Sequence, residues 1–391
     1  TMSKGLTAII RPEMLVWGRQ YAYLSVDEAA RRIGIPSEKL ASWESGSTFP
    51  TVNQLHDIAR VYHQPFAVFY LASPPKPINL PVKDFRRQPG NGMPNISPEL
   101  AREIRIAINR REIALELFQE IEEPILDFSL SLSIDDDIAS SGEILRHKLG
   151  ITCDRQKSWR DERSAFNNWR EALENFGVLV FQSSQLVPDI ARGFSIGEFP
   201  LPVIVVNRKD TYTGRIFTLL HEFAHILLRT SGVCEVDPDI SLPPEDQLVE
   251  VFCNRIAAET LMPRSEFLNE VKDALHGNLQ NDLTDSIIKF IASQFGVSRE
   301  AAIRRMLTLG LVTEEFYQEK REELLKQYQR TGKSSGFVPP ATDVISLAGK
   351  PYARLVINAF DANKISISDV SSYLGVRLKH IREIGEMVGV R

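Results

Sequence analysis

Through most of the chain apolar positions recur every three to four residues, the period of a helix with one face buried. Val26, Ala29, Ala30 and Ile33 share such a face, with Ser25 placed as N-cap and Glu28 three residues on, a capping-box pattern. Leu55, Ile58, Ala59 and Tyr62 make a second face. Pro98 to Ile121 predicts a charged amphipathic helix carrying Arg102, Arg105, Arg110 and Arg111. Thr218 to Leu228 and Val249 to Leu261 read as buried helices. The period breaks at Gly177 to Phe181 and Pro202 to Val206, short β-branched runs of strand type. The pattern therefore predicts an α+β fold, mainly helical, with a small central sheet.

Proline and glycine divide this pattern. Ser73 to Pro81 and Gln88 to Pro98 are dense in proline, which removes donors and fixes φ, and Thr331 to Pro340 is rich in Gly, Ser and Pro. The expected organisation is a first domain at 1–72, a linker with a connecting helix at 73–139, a large domain at 140–330, and a linker with a helical tail at 331–391. One spacing recurs: a small residue, two others, an apolar, Gly, an apolar. It occurs at Ala30–Ile35, Ala292–Val297 and Ser371–Val376, each time before a further helical pattern. A glycine at a helix C′ position lets two helices meet steeply, so all three predict helix-turn-helix geometry. Such geometry is common as plain scaffold.

Composition changes this picture little. Lys and Arg number 46 against 51 Asp and Glu, a net charge of −5, so no global basic field advertises nucleic acid or membrane, and any DNA contact must come from a local patch. No apolar stretch approaches the roughly 20 residues that span a bilayer, and Thr1 to Lys4 lead into no signal-like run. Cys153, Cys234 and Cys253 are odd in number and scattered, against a disulfide framework. A cytoplasmic protein with no membrane partner is the expectation.

The chemistry lies at residues 221–225, His-Glu-Phe-Ala-His. Positions i and i+4 share a helix face, so His221 and His225 can present two imidazoles to one ion. Glu222 lies about 100° round the helix, able to reach a water on that ion without ligating it. Zinc lowers the pKa of such a water toward about 7, and a carboxylate can take its proton as it attacks a carbonyl. Two histidines bracketing a glutamate inside an apolar helix are costly unless paired or metallated. A hydrolytic site wants a third protein ligand and an open position. Glu250 is the best candidate, opening the second buried helix. Asn254, one turn on, is placed to hydrogen-bond a ligand imidazole as support. Cys253 and Cys234 are rivals, since thiolate also suits zinc, although Cys253 also reads as a small core residue. Arg215 and Tyr212 lie just upstream, either to stabilise an oxyanion or merely to brace the helix.

The run Arg215-Ile-Phe-Thr-Leu-Leu-His221-Glu-Phe-Ala-His225, followed by Glu250-Val-Phe-Cys-Asn254 through Leu261-Met262-Pro263, resembles the ImmA/IrrE family of zinc metallopeptidases. The resemblance covers roughly residues 140–315. It implies a minimal gluzincin-like domain, with zinc on His221, His225 and Glu250 and with Glu222 as general base. Cys253 stands where the family usually has Ala, and Ile256 where it usually has Phe; neither touches a ligand. The strand Val203 to Asn207 is expected to offer an edge to a substrate backbone. Asp237, Asp239 and Glu245, between the ligands, read either as a lid that keeps the enzyme latent or as a solvated acidic loop.

Leu24 to Gly46, followed by Pro50, Thr51 and Leu55, resembles a phage-repressor-type (XRE) helix-turn-helix of five helices. That resemblance implies a reading helix starting at Pro36, exposing Ser37, Glu38, Lys39 and Ser42 to DNA. Trp43 and Leu40 would be core, and Glu44 would brace the following loop. Val26 stands where repressors often carry a phosphate-binding Gln, and residues 1–72 are nearly charge-balanced, so a monomer should bind weakly. A homodimer on double-stranded operator DNA, helped by Lys83, Arg86, Arg87 and the arginines of the next helix, is the expectation. Together the resemblances imply a zinc endopeptidase fused to a DNA-binding module, cleaving a repressor-like or toxin-system partner in transcriptional or stress control. The alternative is a DNA-binding repressor or antitoxin whose metallopeptidase-like domain binds a partner without turnover.

Overall fold

The computed structural model describes residues 6–75, 96–186, 190–230, 233–234, 244–275, 283–328 and 338–390. It is mainly helical with one small sheet, an α+β fold. The chain forms two compact units, Thr1–Pro81 with Gly90–Arg105, and Val82–Pro89 with Ile106–Arg391.

The first unit holds helices α1 (Pro12–Tyr21), α2 (Val26–Ile33), α3 (Ser37–Glu44) and α4 (Val52–Val61), a 3-10 helix at Phe66–Tyr70, and the start of α5 (Pro98–Glu120). Met14, Leu40, Trp43, Leu55, Ile58, Tyr62 and Phe69 make its core. Ser25 caps α2 by accepting from Glu28 N at 3.1 Å, but the Glu28 carboxylate turns to Arg32 at 2.6 Å, so only half the expected box forms. A full capping box forms at Thr51 and Gln54. Pro36 is the N-cap of α3 rather than its first residue. Glu44 is held by Arg19 of α1, which donates to both its oxygens at 2.7 and 2.9 Å, because a largely buried carboxylate keeps its charge most cheaply beside a guanidinium fork. The first turns of α5 pack with this unit, Glu99 taking Arg32 at 2.7 Å and Arg105 donating to Tyr21 O at 2.6 Å while stacking on its ring.

The second unit continues with α6 (Ile138–Leu149), α7 (Cys153–Lys157), α8 (Glu162–Asn175), β1 (Leu179–Ser183), β2 (Gly193–Ile196), β3 (Val203–Asn207), α9 (Tyr212–Leu227), β4 (Val233–Cys234) and α10 (Pro244–Leu261). After these come α11 (Arg264–Ala274), α12 (Asp285–Phe295), α13 (Arg299–Thr308), α14 (Glu314–Tyr328), α15 (Pro340–Ala348), α16 (Lys350–Asp361), α17 (Ile367–Leu374) and α18 (Ile381–Val388). The three repeated glycines, Gly34, Gly296 and Gly375, each end a helix in the left-handed conformation, at φ 84°, 64° and 64°.

The sheet order is β1-β3-β2-β4, with β1 parallel to β3 and β2 antiparallel to both its neighbours. The expectation that Val203 to Asn207 is an edge strand is therefore corrected. Every residue of β3 is buried, and β1 and β2 take its two sides. A continuous apolar run is what a strand covered on both faces requires. At the β1 edge, Arg170 Nη1 and Gln182 Nε2 both donate to Ser346 O of α15 at 2.7 Å. Arg208 pairs with Asp343, and the Tyr352 ring meets Phe181 edge-on at 5.6 Å. The C-terminal helices thus belong to the second unit.

Helix α9 starts at Thr211, whose hydroxyl accepts from Gly214 N at 3.1 Å, and it packs on α8, α10, β2 and β3. The carbonyls freed at the end of α10 are satisfied from outside, Thr260 O by Arg146 at 2.7 Å and Leu261 O by Gln156 at 3.1 Å. Both helices are thereby fixed in register. Among the described residues, no helix is long and apolar enough to cross a membrane.

Candidate metal centre

His221 and His225 project from one face of α9, and Glu250 reaches them from α10. The two Nε2 atoms lie 3.1 Å apart. Glu250 Oε2 is 3.3 Å from His221 Nε2, and its Oε1 is 3.1 Å from His225 Nε2. The far ring nitrogens are occupied. His221 Nδ1–H donates to Asn254 Oδ1 at 3.0 Å. His225 Nδ1–H donates to Thr230 Oγ1 at 3.3 Å, while the Thr230 hydroxyl spends its own proton on His225 O at 3.0 Å. With both protons on Nδ1, the two Nε2 lone pairs face each other and a carboxylate across about a hydrogen-bond length. A metal ion held by all three, or a proton shared between an imidazole and the carboxylate, relieves that repulsion.

Zinc fits the spacing. Ligand atoms about 2.0–2.1 Å from a tetrahedral ion stand roughly 3.3 Å apart, close to the spacing of the two Nε2 atoms and of each from one Glu250 oxygen. Asn254 and Thr230 hold the imidazoles in the tautomer that ligation needs. Thr230 carried no motif signal, since its contact arises only where the chain turns back after α9.

The electrostatics agree. Burial alone would lower the His221 pKa, but the Glu250 carboxylate, with Glu222 adding its charge, holds it above the usual imidazole value. Burial pushes Glu250 up, yet the two histidines outweigh it and keep that carboxyl far below its usual range. Burial raises Glu222 above the ordinary carboxylate range, against the pull of His225, His221 and the Ser195 hydroxyl. Glu222 is 0 % exposed and neither of its oxygens has a hydrogen-bond partner. A carboxyl held above its usual range is a stronger base than a free one, which is what a proton acceptor needs.

The other candidates fall elsewhere. Cys253 is fully buried among the core side chains of the second unit, as a small core residue would be. The side chain of Cys234 lies outside the described residues, as do Asp237, Asp239 and the Glu245 side chain of the acidic loop, and Lys83, Arg86 and Arg87. Arg215 braces: it donates to Asp210 O at 2.9 Å, to Gln182 Oε1 at 3.0 Å and to Arg208 O, and stacks on Tyr212 at 4.5 Å. Arg215 is therefore not free to serve an oxyanion. Asn207, at the end of β3, donates to Ala191 O at 3.0 Å and accepts from Lys209 N at 2.9 Å, fixing the turn into α9.

On α3, Glu38 and Lys39 are exposed, whereas Ser37 and Ser42 are half-buried. Lys39 Nζ sits 5.5 Å over the Trp43 ring. The Ser42 hydroxyl donates to Lys39 O at 2.8 Å and lies 2.6 Å from Thr48 Oγ1.

No curated protein matches the chain. Residues 173–307, which hold both histidines, Glu222, Glu250 and Asn254, match the peptidase-family model described as the IrrE N-terminal-like domain.

Proposed function

We propose that this protein is a zinc-dependent endopeptidase joined to a DNA-binding helix-turn-helix module, and that it cleaves a repressor-like or toxin-system protein in the cytoplasm. The observation that carries the reading is the convergence of three lone-pair-bearing atoms from His221, His225 and Glu250, with both imidazole protons tied back to Asn254 and Thr230. The peptidase-family match over the same residues supports it.

Zinc held there would supply Lewis acidity and lower the pKa of a water toward about 7. The protein does the rest. His221, His225 and Glu250 would hold the ion from two helices, and of the three Glu250 alone keeps appreciable exposure, at 18 % of its side chain. Glu222, held out of solvent, accepts the proton of the attacking water at a carboxylate oxygen and delivers it to the leaving amine. In the first unit, Glu38 and Lys39 with Ser37 and Ser42 are the proposed DNA-facing residues, and a homodimer is the proposed operator-binding form.

Partner binding without turnover is the second reading, favoured by the commitment of Arg215 to the loop before α9. Two measurements separate the readings. Elemental mass spectrometry of protein purified without chelator should give near one zinc per chain, lost in Glu250→Ala. Glu222→Gln should retain zinc and folding but abolish partner cleavage; regulation in cells that survives Glu222→Gln unchanged would overturn the enzymatic account.

A further inference from the structure

The approach of β2 to α9 assigns a role to a residue that no motif marked. Gly193 lies so close to the helix that a Cβ there would stand 2.6 Å from Thr218 Cγ2 and 2.7 Å from Val205 O. Two residues along the strand, Ser195 returns to the same sheet face, a step of about 6.6–6.8 Å. On α9 the matching step, from Thr218 to Glu222, is four residues or about 6 Å. The two steps keep pace, so Ser195 faces Glu222 as Gly193 faces Thr218. Ser195 is 0 % exposed, and its Oγ, like both Glu222 oxygens, lacks a partner within hydrogen-bond geometry. A buried hydroxyl is costly unless it is bonded, and the neighbours of Ser195 on this strand, Phe194 and Ile196, are both apolar.

We propose that Ser195 is a positioning residue for Glu222: its hydroxyl donates to one carboxyl oxygen and leaves the other aimed at the space between His221, His225 and Glu250. Held by one oxygen, the carboxyl keeps a single rotamer and does not swing onto a ligand imidazole. The catalytic meaning of this contact rests on the peptidase reading; the contact itself does not.

Infrared difference spectra of the full-length, metal-free protein test it, with Glu222→Gln used to assign the Glu222 carboxyl band at mildly acidic pH. In Ser195→Ala the carbonyl stretch of that carboxyl moves to higher frequency, because it loses a hydrogen bond. Ser195→Cys keeps the volume and donates only weakly, so it moves the band the same way by less, and it carries the test if the alanine variant does not fold. A band unmoved in natively folded variants overturns the contact. Zinc uptake is measured alongside. Protein that takes up no zinc but shows the band shift overturns the peptidase reading and keeps the contact, while zinc uptake without the shift does the reverse. On a cleavable peptide, Ser195→Ala lowers kcat about tenfold to a hundredfold with zinc content and KM little changed.

Discussion

At the residue scale, the coupling of Glu250 to two imidazoles has a pH signature. In metal-free protein the Glu250 carboxyl sits below its ordinary 4.5, so its contribution is present above that pH and is lost as pH falls through the folded value. His221 sits above its ordinary 6.5, so its contribution is full below that pH and is lost as pH rises through the folded value. Glu250→Gln should therefore destabilise the metal-free protein most between about pH 4.5 and 6.5, and less at pH 9. Urea midpoints across that range check it, and the opposite trend would remove the pair from the account. Zinc competes with the same protons, so its affinity should weaken as pH falls, and Asn254→Ala should lower it about tenfold to a hundredfold. Gly193→Ala should cost about 1–3 kcal/mol in urea unfolding, since its methyl would meet a backbone carbonyl that cannot yield. The two histidines and Glu222 were legible because a single helix fixes their spacing. Glu250 needed a second helix and was legible only as the best of three candidates. Ser195 and Thr230 were not, because their partners are set by how a strand stacks on a helix and where a turn returns.

At the element scale, the sheet is where sequence reasoning went astray. Strands β1 and β3 were visible as β-branched runs, but a run buried on both faces looks the same whether it stands at an edge or in the middle. The register of β3 depends on β1 and β2, and β2 with its glycine and serine carries no strand signature of its own. The tail was legible as helices and not as a partner of β1, since 164 residues separate Gln182 from Ser346. The clamp there centres on Arg170, which pairs with Glu174 at 2.8 Å with both side chains under a tenth exposed, and also donates to Val180 O and Ser346 O. Burial holds the Glu174 carboxyl above its usual range even beside this arginine. Arg170→Ala should then destabilise by about 3–5 kcal/mol, because it strands a buried charge and frees two carbonyls. A urea midpoint close to the parent's would show that the clamp is dispensable.

For the whole molecule, charge is the feature that bears on partners. A net charge of −5 gives no general attraction to nucleic acid, and α3 presents one lysine beside one glutamate. Few phosphates can be neutralised there, so affinity for a duplex probe should fall only gently with salt, with a log–log slope of about −1 to −3 for one copy. Glu38→Lys should steepen that slope by about 1. Fluorescence anisotropy against salt concentration reads both, and a slope unmoved by Glu38→Lys would take α3 out of the interface.

The clamp at β1 also bears on how the protein is made. During synthesis, β1 leaves the ribosome far ahead of α15, and the Arg170 and Gln182 side chains that end up on Ser346 must wait for it. Until then one flank of a nearly all-apolar sheet stands open, the kind of surface on which nascent chains pair with one another. The last helices would therefore act as a completion signal for folding. Nascent chains stalled before them should engage chaperones or aggregate, while the polypeptide that carries them closes its sheet unaided.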